Sequence, residues 1–149
     1  MSSPEQMQLR PMLISDYDAV LALWQSSSGM TLRDSDSREA IARYLDHNPQ
    51  LSQVLLQQDT LIGAVLIGTD GRRGYLQHLA IAAAWQHQGL GRRLLEAGIA
   101  ALQRHGIEKT HLFVHADNTA ALQFYRHLGW QLRDTIYLCS FNAGSHPNI

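Results

Sequence analysis

A short segment near the middle of the chain combines glycines with cationic side chains at the start of a predicted helix. Gly89 and Gly91 precede the strongest helical pattern of the sequence, and Arg92 and Arg93 follow at once. The first N–H groups of a helix lack intrahelical acceptors and carry the positive end of its dipole. Glycines remove the Cβ atoms that would keep a ligand away from that backbone. The segment predicts a cradle for a phosphate or pyrophosphate. A tight strand-to-helix turn without a ligand is the alternative.

The spacing of these glycines disfavours two common nucleotide-binding loops. No lysine follows the second glycine, as the Walker A loop of NTPases would require. Leu94 stands where the dinucleotide-binding pattern GxGxxG has its third glycine. Both an NTPase and a dinucleotide-binding site are therefore disfavoured.

The elements around this segment alternate between strand and helix patterns. Apolar residues recur at helical spacing from Leu90 to His105, and Gly106 follows as the expected terminating residue. Strands are predicted at residues 7–10, 54–57, 61–67, 75–81, 110–114, 130–132 and 136–141, and helices at 15–24, 37–45, 90–105 and 118–128. This order predicts an α/β (α+β) fold in which helices pack on a sheet.

Two motifs resemble the GNAT superfamily of N-acetyltransferases. Gln86-x-x-Gly89-x-Gly91 matches the pattern [Q/R]-x-x-G-x-[G/A], with a strand before it and an amphipathic helix after it. A later segment is similar to the family pattern LxV…N…A…FY…LG[FW], at residues 112–114, 118, 121, 124–125 and 128–130. Both motifs stand in the family's order and separation. The segments LRDSDS and TDGRRGY resemble a bacterial GNAT subgroup of unassigned substrate.

The resemblance implies the acyl-CoA N-acyltransferase fold, a mixed and mostly antiparallel sheet of about seven strands flanked by four helices. It implies direct transfer of the acetyl group of acetyl-CoA to a primary amine of a small molecule or peptide, with no metal. It implies that the residues binding the coenzyme are Leu79, Ala80, Ile81, Gln86, His87, Gln88, Gly89, Leu90, Gly91, Arg92, Asn118 and Tyr125. A non-catalytic CoA-binding sensor or interaction module is the alternative, since strand 75–79 contains no glutamate.

The resemblance also implies a catalytic role for Tyr125, which stands at the family's position for the general acid that protonates the leaving thiolate. A phenol, with an ordinary pKa of about 10, can donate a proton to a thiolate. Tyr125 also shares a helical face with Ala121 and Leu128, which would suit a packing role.

The general base is less clearly indicated. Relatives often carry a glutamate or histidine in the strand before the first motif, and here His78 occupies that strand. An imidazole exchanges protons near neutral pH, as a general base must. Strict alternation places His78 on the face of Leu76, opposite to Gln77. A structural role, with water relaying protons to a distant carboxylate, is therefore the alternative to a catalytic one.

Charged residues in the loop 26–36 are candidates for acceptor binding, because this loop lies beside the acceptor cleft in the GNAT fold. Asp34 and Asp36 could bind a cationic amine, whereas Arg33 could bind an acidic acceptor. Asp36 or Ser35 could instead cap the following helix. We predict Arg33 and Asp34 as the substrate-binding residues.

Length and composition limit the number of domains, the location and the partners that we expect. The 149 residues predict one domain, 1–149, with a flexible tail at 142–149. Twelve Lys and Arg residues oppose 13 Asp and Glu residues, for a net charge of −1, which argues against nucleic acid as a partner. The longest apolar run is too short to span a membrane and no secretory signal is visible, so we expect a cytoplasmic location and no membrane partner. The final strands could pair across a homodimer.

The remaining chemistry-bearing residues have packing interpretations. The lone cysteine, Cys139, alternates with Tyr137 and Phe141 in a predicted strand, which suggests a small core residue. His111 and His115 share one face of a predicted strand, but no acidic or cysteine partner stands at ligand spacing. We therefore expect strand packing there, and no metal site.

Overall fold

The computed structural model describes residues 6–148. In chain order the strands and helices are β1 (Met7–Pro11), α1 (Tyr17–Gln25), α2 (Arg38–His47), β2 (Gln53–Gln57), β3 (Thr60–Thr69), β4 (Gly74–Ile81), α3 (Leu90–Arg104), β5 (Thr110–Leu112) and α4 (Thr119–His127). Single 3₁₀ turns lie at Ile14–Asp16, Asp34–Asp36 and Ala83–Trp85. The chain divides into two compact units, one ending at Leu112 and one beginning at Phe113. None of the described helices is long and apolar enough to cross a membrane.

Strands β1 to β5 form one sheet, with neighbours in the order of the chain. β1 to β4 pair antiparallel, whereas β5 pairs parallel with β4. The expectation of a mixed, mostly antiparallel sheet with four helices is therefore confirmed. The parallel pairing runs from Gly74 opposite Thr110 to Leu76 opposite Leu112 and then ends. Within the described part of the chain, residues 77–81 of β4 have a strand partner on the β3 side alone.

Helices α1 and α2 cover one face of the sheet. The apolar stripe predicted for α1 supplies Val20 and Trp24, which pack with Leu66 of β3 and Ala80 of β4 in one buried cluster. Ile41 is the buried residue that α2 contributes. Burial of a large apolar side chain contributes about 1.5–3 kcal/mol, so this cluster is a main source of stability for the first unit.

Helix α3 covers the opposite face. Ile67 follows Leu66 in β3 and so points to the other side of the sheet. A Cβ added at Gly98 of α3 would collide with the Ile67 side chain, so the helix backbone lies close to β3 at this point. Leu94 and Leu102 are fully buried on the same helix. The helical period predicted for this segment is confirmed, and α3 begins directly after the glycine that forms the candidate cradle.

The expectation of about seven strands is wrong, because the sheet formed by residues 6–148 has five. The segments at 130–132 and 136–141 were predicted as strands, and neither forms one. Ile136 and Leu138 are 66% and 73% exposed, and Cys139 is exposed as well rather than in the core. Alternating apolar residues form a stable strand only with a hydrogen-bonded neighbour and a buried face, and alternation alone supplies neither.

The starts of the first two helices also differ from expectation. Ser15 lies within a 3₁₀ turn, so α1 begins at Tyr17 rather than at residue 15. Asp16 forms a two-point ion pair with Arg10, with both N–O distances 2.8 Å. The cap of α2 is Ser37, whose hydroxyl accepts a hydrogen bond from the backbone N–H of Ala40 at 3.2 Å. Asp36 is therefore not a helix cap.

Candidate functional site

The predicted cradle is formed by the backbone at the start of α3. Gly89 is the N-cap, and its φ of 78° lies in the left-handed region that favours glycine. Apart from its chain neighbours and its own helix backbone, no described atom lies within 4 Å of where a Cβ of Gly89 would be, so the space above it is open. The N–H of Arg93 donates to the Gly89 carbonyl at 3.1 Å, closing the first helical turn. The N–H groups of Leu90 to Arg92 have no acceptor within the helix.

The loop before the cradle is fastened to the end of β4. The side-chain amide of Gln86 donates a hydrogen bond of 3.0 Å to the carbonyl of Ile81. His87 and Gln88 are exposed, and His87 has a φ of 64°. Leu90 is buried, so its N–H is the part that can contact a ligand. Gln86 therefore holds the loop to the end of β4, and the candidate ligand-binding groups of the cradle are backbone N–H groups.

The charge beside the cradle is partly neutralised within the helix. Arg92 donates from Nε to the Glu96 carboxylate at 2.8 Å, one turn further along α3. Both side chains are largely exposed, so this pair is weak and a ligand phosphate can compete for the guanidinium. The positive charge predicted at this helix start is therefore present in the folded chain.

The edge of β4 leads directly towards this cradle. Leu79, Ala80 and Ile81 lie in the part of β4 that pairs with β3 on one side and has no described strand on the other. An extended ligand can add to such an edge as a further strand through main-chain hydrogen bonds. The predicted binding segment at 79–81 therefore has the backbone arrangement that this role needs.

His78 lies at a β-bulge in β4. His78 and Leu79 together lie opposite the single residue Val65 of β3. The φ of His78 is 53°, in the left-handed region where a non-glycine residue is uncommon. Bulges occur next to active sites, where they redirect a side chain.

The bulge turns His78 onto the face covered by α1. Its ring lies edge-on to Trp24, with 4.9 Å between the ring centroids. The alternation that placed His78 on the face of Leu76 is therefore wrong, since the extra residue of the bulge breaks the period of two.

A carboxylate from a distant part of the chain meets this histidine. Oδ1 of Asp36 lies 2.8 Å from Nε2 of His78, and the side chains are 10% and 21% exposed. The other oxygen of Asp36, Oδ2, accepts a hydrogen bond of 2.9 Å from the backbone N–H of Arg33. Sequence reasoning named Asp36 as a helix cap or an amine-binding group, and missed its pairing with His78.

Hydrogen bonding keeps the Asp36 carboxyl ionised. Burial by itself would raise its pKa, but the hydrogen bonds from His78 and from the Arg33 N–H outweigh burial and hold the pKa below the ordinary value of 3.8. Asp36 is therefore a carboxylate at neutral pH and accepts hydrogen bonds only.

The predicted acceptor-binding residues are Arg33 and Asp34, which lie where the turn Asp34–Asp36 begins. Arg33 directly precedes the turn Asp34–Asp36, and the side chains of Arg33 and Asp34 are exposed. Their positions agree with a role in binding an acceptor from solution, and this role stays a prediction.

The second unit carries the other predicted residues. Asn118 caps α4, and its Oδ1 accepts a hydrogen bond of 3.1 Å from the N–H of Ala121, as predicted. Tyr125 on α4 is half-buried, with ring centroids 5.2 Å from Phe124 and 5.8 Å from Trp130. Burial raises the pKa of Tyr125 to about 12. The phenol is therefore protonated at neutral pH, as a general acid must be.

The two histidines considered as metal ligands do not lie in the same strand. His111 lies in β5 with its ring 6.0 Å from that of Tyr75, whereas His115 follows the end of β5. Among residues 6–148, no group of three or more His, Cys, Asp or Glu side chains could hold a metal ion.

Comparison with known proteins identifies the family. Residues 17–130 match the model of the "Acetyltransferase (GNAT) family". The chain belongs to the GNAT acetyltransferase family. The resemblance predicted from the two motifs is thus confirmed.

Relatives of this GNAT chain cover most of its length. An acetyltransferase of Yersinia pestis (strain Pestoides F) is 30% identical over 133 residues, which are 89% of this chain and 93% of the relative. The PaiA N-acetyltransferase from Thermoplasma acidophilum, solved in complex with coenzyme A, has a TM-score of 0.78 at 20% identity, covering 87% of this chain and 92% of that one. The ribosomal-protein-S18-alanine N-acetyltransferase from Escherichia coli has a TM-score of 0.70 at 25% identity, covering 83% and 76%.

Proposed function

We propose that this GNAT chain transfers the acetyl group of acetyl-CoA to a primary amine of a small molecule or peptide. The observation that carries the proposal is the course of β4. Its residues 77–81 have an edge without a described strand partner, and this edge leads through a short loop into the open cradle at Gly89. Family membership and the coenzyme in the PaiA structure support acetyl-CoA as the donor.

The donor-binding part of the proposal rests on backbone groups. The CoA pyrophosphate would accept hydrogen bonds from the N–H groups at the start of α3, where the helix dipole adds positive potential. The pantetheine arm would add to the edge of β4 at Leu79 to Ile81, and the family resemblance assigns Asn118 to the same arm. An N–H in this stretch of β4 would stabilise the oxyanion that forms when the thioester carbonyl is attacked.

The chemical step is a direct displacement. The amine nitrogen attacks the thioester carbon, the C–S bond breaks, and the thiolate takes a proton from Tyr125. The raised pKa of Tyr125, about 12, keeps its proton in place until a thiolate develops nearby. His78 would serve as the base that removes a proton from the acceptor ammonium.

The acceptor would enter beside the loop that carries Arg33 and Asp34. A cationic amine would pair with Asp34 and an acidic acceptor with Arg33. The relative from Escherichia coli acts on an alanine of ribosomal protein S18, by its name, which keeps a peptide among the acceptors to be tested. The cytoplasmic location and the homodimer stay predictions from the sequence.

The test is release of free CoA thiol from acetyl-CoA in the presence of a panel of amines, including polyamines, aminoglycosides and peptides with free N-termini. We expect acetyl-dependent turnover on at least one acceptor and a rise in melting temperature with acetyl-CoA but not with ATP or NAD. Stabilisation by acetyl-CoA without turnover on any amine would favour the CoA-binding sensor instead. An absence of both effects would overturn acetyl-CoA as the ligand.

A further inference from the structure

The pairing of Asp36 with His78 restricts which nitrogen of the imidazole can act as a base. Asp36 is ionised at neutral pH and cannot donate a hydrogen bond, so Nε2 of His78 must carry a hydrogen at the 2.8 Å contact. Within residues 6–148 the other ring nitrogen, Nδ1, makes no hydrogen bond to the protein. Nδ1 is therefore the nitrogen that can accept a proton.

Three features hold this arrangement in place. Trp24 of α1 packs edge-on against the imidazole, at 4.9 Å between centroids. The hydroxyl of Tyr17, also in α1, donates 2.7 Å to the backbone carbonyl of Asp36. The backbone N–H of Arg33 donates to Oδ2 of Asp36 at 2.9 Å. These groups contact the imidazole–carboxylate pair from α1 and from the turn Asp34–Asp36.

The position of His78 ties the pair to the proposed reaction. The histidine is held in left-handed backbone at the bulge, next to Leu79, at the edge where the thioester arm is proposed to lie. Its side chain is 21% exposed, so a small group can reach it from solvent. Backbone strain of this kind persists where surrounding structure enforces it, and it is concentrated at functional sites.

We propose that Asp36 is a positioning residue that fixes His78 as the Nε2–H tautomer, so that Nδ1 accepts a proton from the acceptor ammonium. This inference rests on the proposed acetyl transfer. The ammonium loses two protons during the reaction. One passes to Nδ1 and then to solvent, while Asp36 stabilises the imidazolium. The other also passes to solvent, from which Tyr125 regains the proton that it gives to the CoA thiolate.

The substitution Asp36→Asn tests the proposal, because Asp36 accepts two hydrogen bonds and an amide can accept through one atom only. The Arg33 N–H cannot change its role, so the amide oxygen of Asp36→Asn faces Arg33 and the NH₂ group faces Nε2. The tautomer of His78 then reverses, and Nδ1 carries a hydrogen and cannot act as a base.

The chain offers a matched control. Asp16 forms an ion pair with Arg10 at the same 2.8 Å and is 11% exposed, compared with 10% for Asp36. Asp16→Asn therefore removes an equally shielded carboxylate in the same unit, and it leaves the Asp36–His78 pair in place.

Two measurements test the proposal. The first is nitrogen-15 NMR of the histidine rings, with His78 assigned through its contact with Trp24. It should show a Nε2–H tautomer in the wild type and in Asp16→Asn, and a Nδ1–H tautomer in Asp36→Asn.

The second measurement is kinetic and needs an identified acceptor. Asp36→Asn should lower kcat about 10²-fold, the range expected for loss of a general base. The KM for acetyl-CoA should stay unchanged. Asp16→Asn should stay within about twofold of the wild type.

Each contrary result has a separate meaning. A Nδ1–H tautomer in the wild type overturns the positioning role, whether or not an acceptor has been found. An unchanged kcat in Asp36→Asn, or an equal loss of kcat in both Asn variants, overturns the link to catalysis while acetyl transfer stands. Failure of the wild type to turn over any amine counts against the proposed function, and the NMR experiment still decides the tautomer.

Discussion

The hydroxyl of Tyr17 donates a hydrogen bond of 2.7 Å to the backbone carbonyl of Asp36, and so fastens the turn Asp34–Asp36 to the start of α1. Both residues are buried. The connection between α1 and α2 is mostly polar, with Met30 and Leu32 packed against the core, and this bond holds the end of the loop at which Asp36 meets His78. One hydroxyl therefore links the packing of α1 to the geometry of the candidate site.

Replacement of Tyr17 with Phe should lower the free energy of unfolding by about 1–3 kcal/mol, because a buried carbonyl loses its donor. Urea unfolding measures the loss. Tyr137→Phe is the matched control, since Tyr137 is 95% exposed and should lose nothing measurable. Equal stability of the two variants would contradict a fastening role for Tyr17.

Replacement of Gly89 with Asp should lower the affinity for CoA by more than tenfold, because it adds bulk and negative charge at the helix N-terminus. Calorimetric titration with CoA measures the change. Gly71→Asp is the matched control. Gly71 has a φ of 94° and equally open space around a Cβ, and it lies in the turn between β3 and β4.

Both glycine variants carry the same backbone strain, about 1–2 kcal/mol for a side chain in the left-handed region. A difference in CoA affinity between them therefore reports on the ligand and not on folding. Unchanged affinity in Gly89→Asp would contradict the cradle.

Replacement of Tyr125 with Phe should lower kcat by about 10²-fold or more and leave the affinity for acetyl-CoA nearly unchanged, because it removes the acid and keeps the ring. Steady-state kinetics, together with the melting-temperature shift on acetyl-CoA, separate the two effects. An equal loss of turnover and of affinity would indicate a packing role. Tyr137→Phe, in the same unit, should behave as the wild type.

Acidification should destabilise the protein through two carboxylates. A hydrogen bond from Arg10 is the main cause that lowers the pKa of Asp16 from 3.8, and the hydrogen bonds to Asp36 lower its pKa against the effect of burial. A carboxyl with a lower pKa in the folded chain contributes its stabilisation fully above about pH 5. That contribution is lost as the pH falls through 3.8 towards the folded value.

Urea unfolding at pH 7 and at pH 3.5 measures this dependence. Asp36→Asn and Asp16→Asn should each be less stable than the wild type at pH 7 and should each lose less on acidification. A variant that loses as much stability as the wild type would show that its carboxylate is not responsible.

The cradle could be predicted from sequence because its determinants are local. A glycine at the left-handed position, a following apolar stripe and the order of strand, loop and helix all lie within about twenty consecutive residues, and short-range geometry decides them. The Asn118 cap of α4 is local in the same way. The predicted strands at 130–132 and 136–141 show the limit of such reasoning, since a strand also needs a neighbour that sequence patterns do not name.

His78, the candidate base, also separates what local sequence decides from what tertiary packing decides. The sequence by itself determined that His78 lies in the strand before the cradle, because alternation and turn residues mark that strand. Only the tertiary structure decided which way the side chain points and what it meets. The bulge opposite Val65 arises from register between β3 and β4, and Asp36 reaches His78 across 42 positions of chain. Strand register and long-range pairing depend on how whole elements pack together, whereas residue patterns report only the preferences of neighbours in the chain.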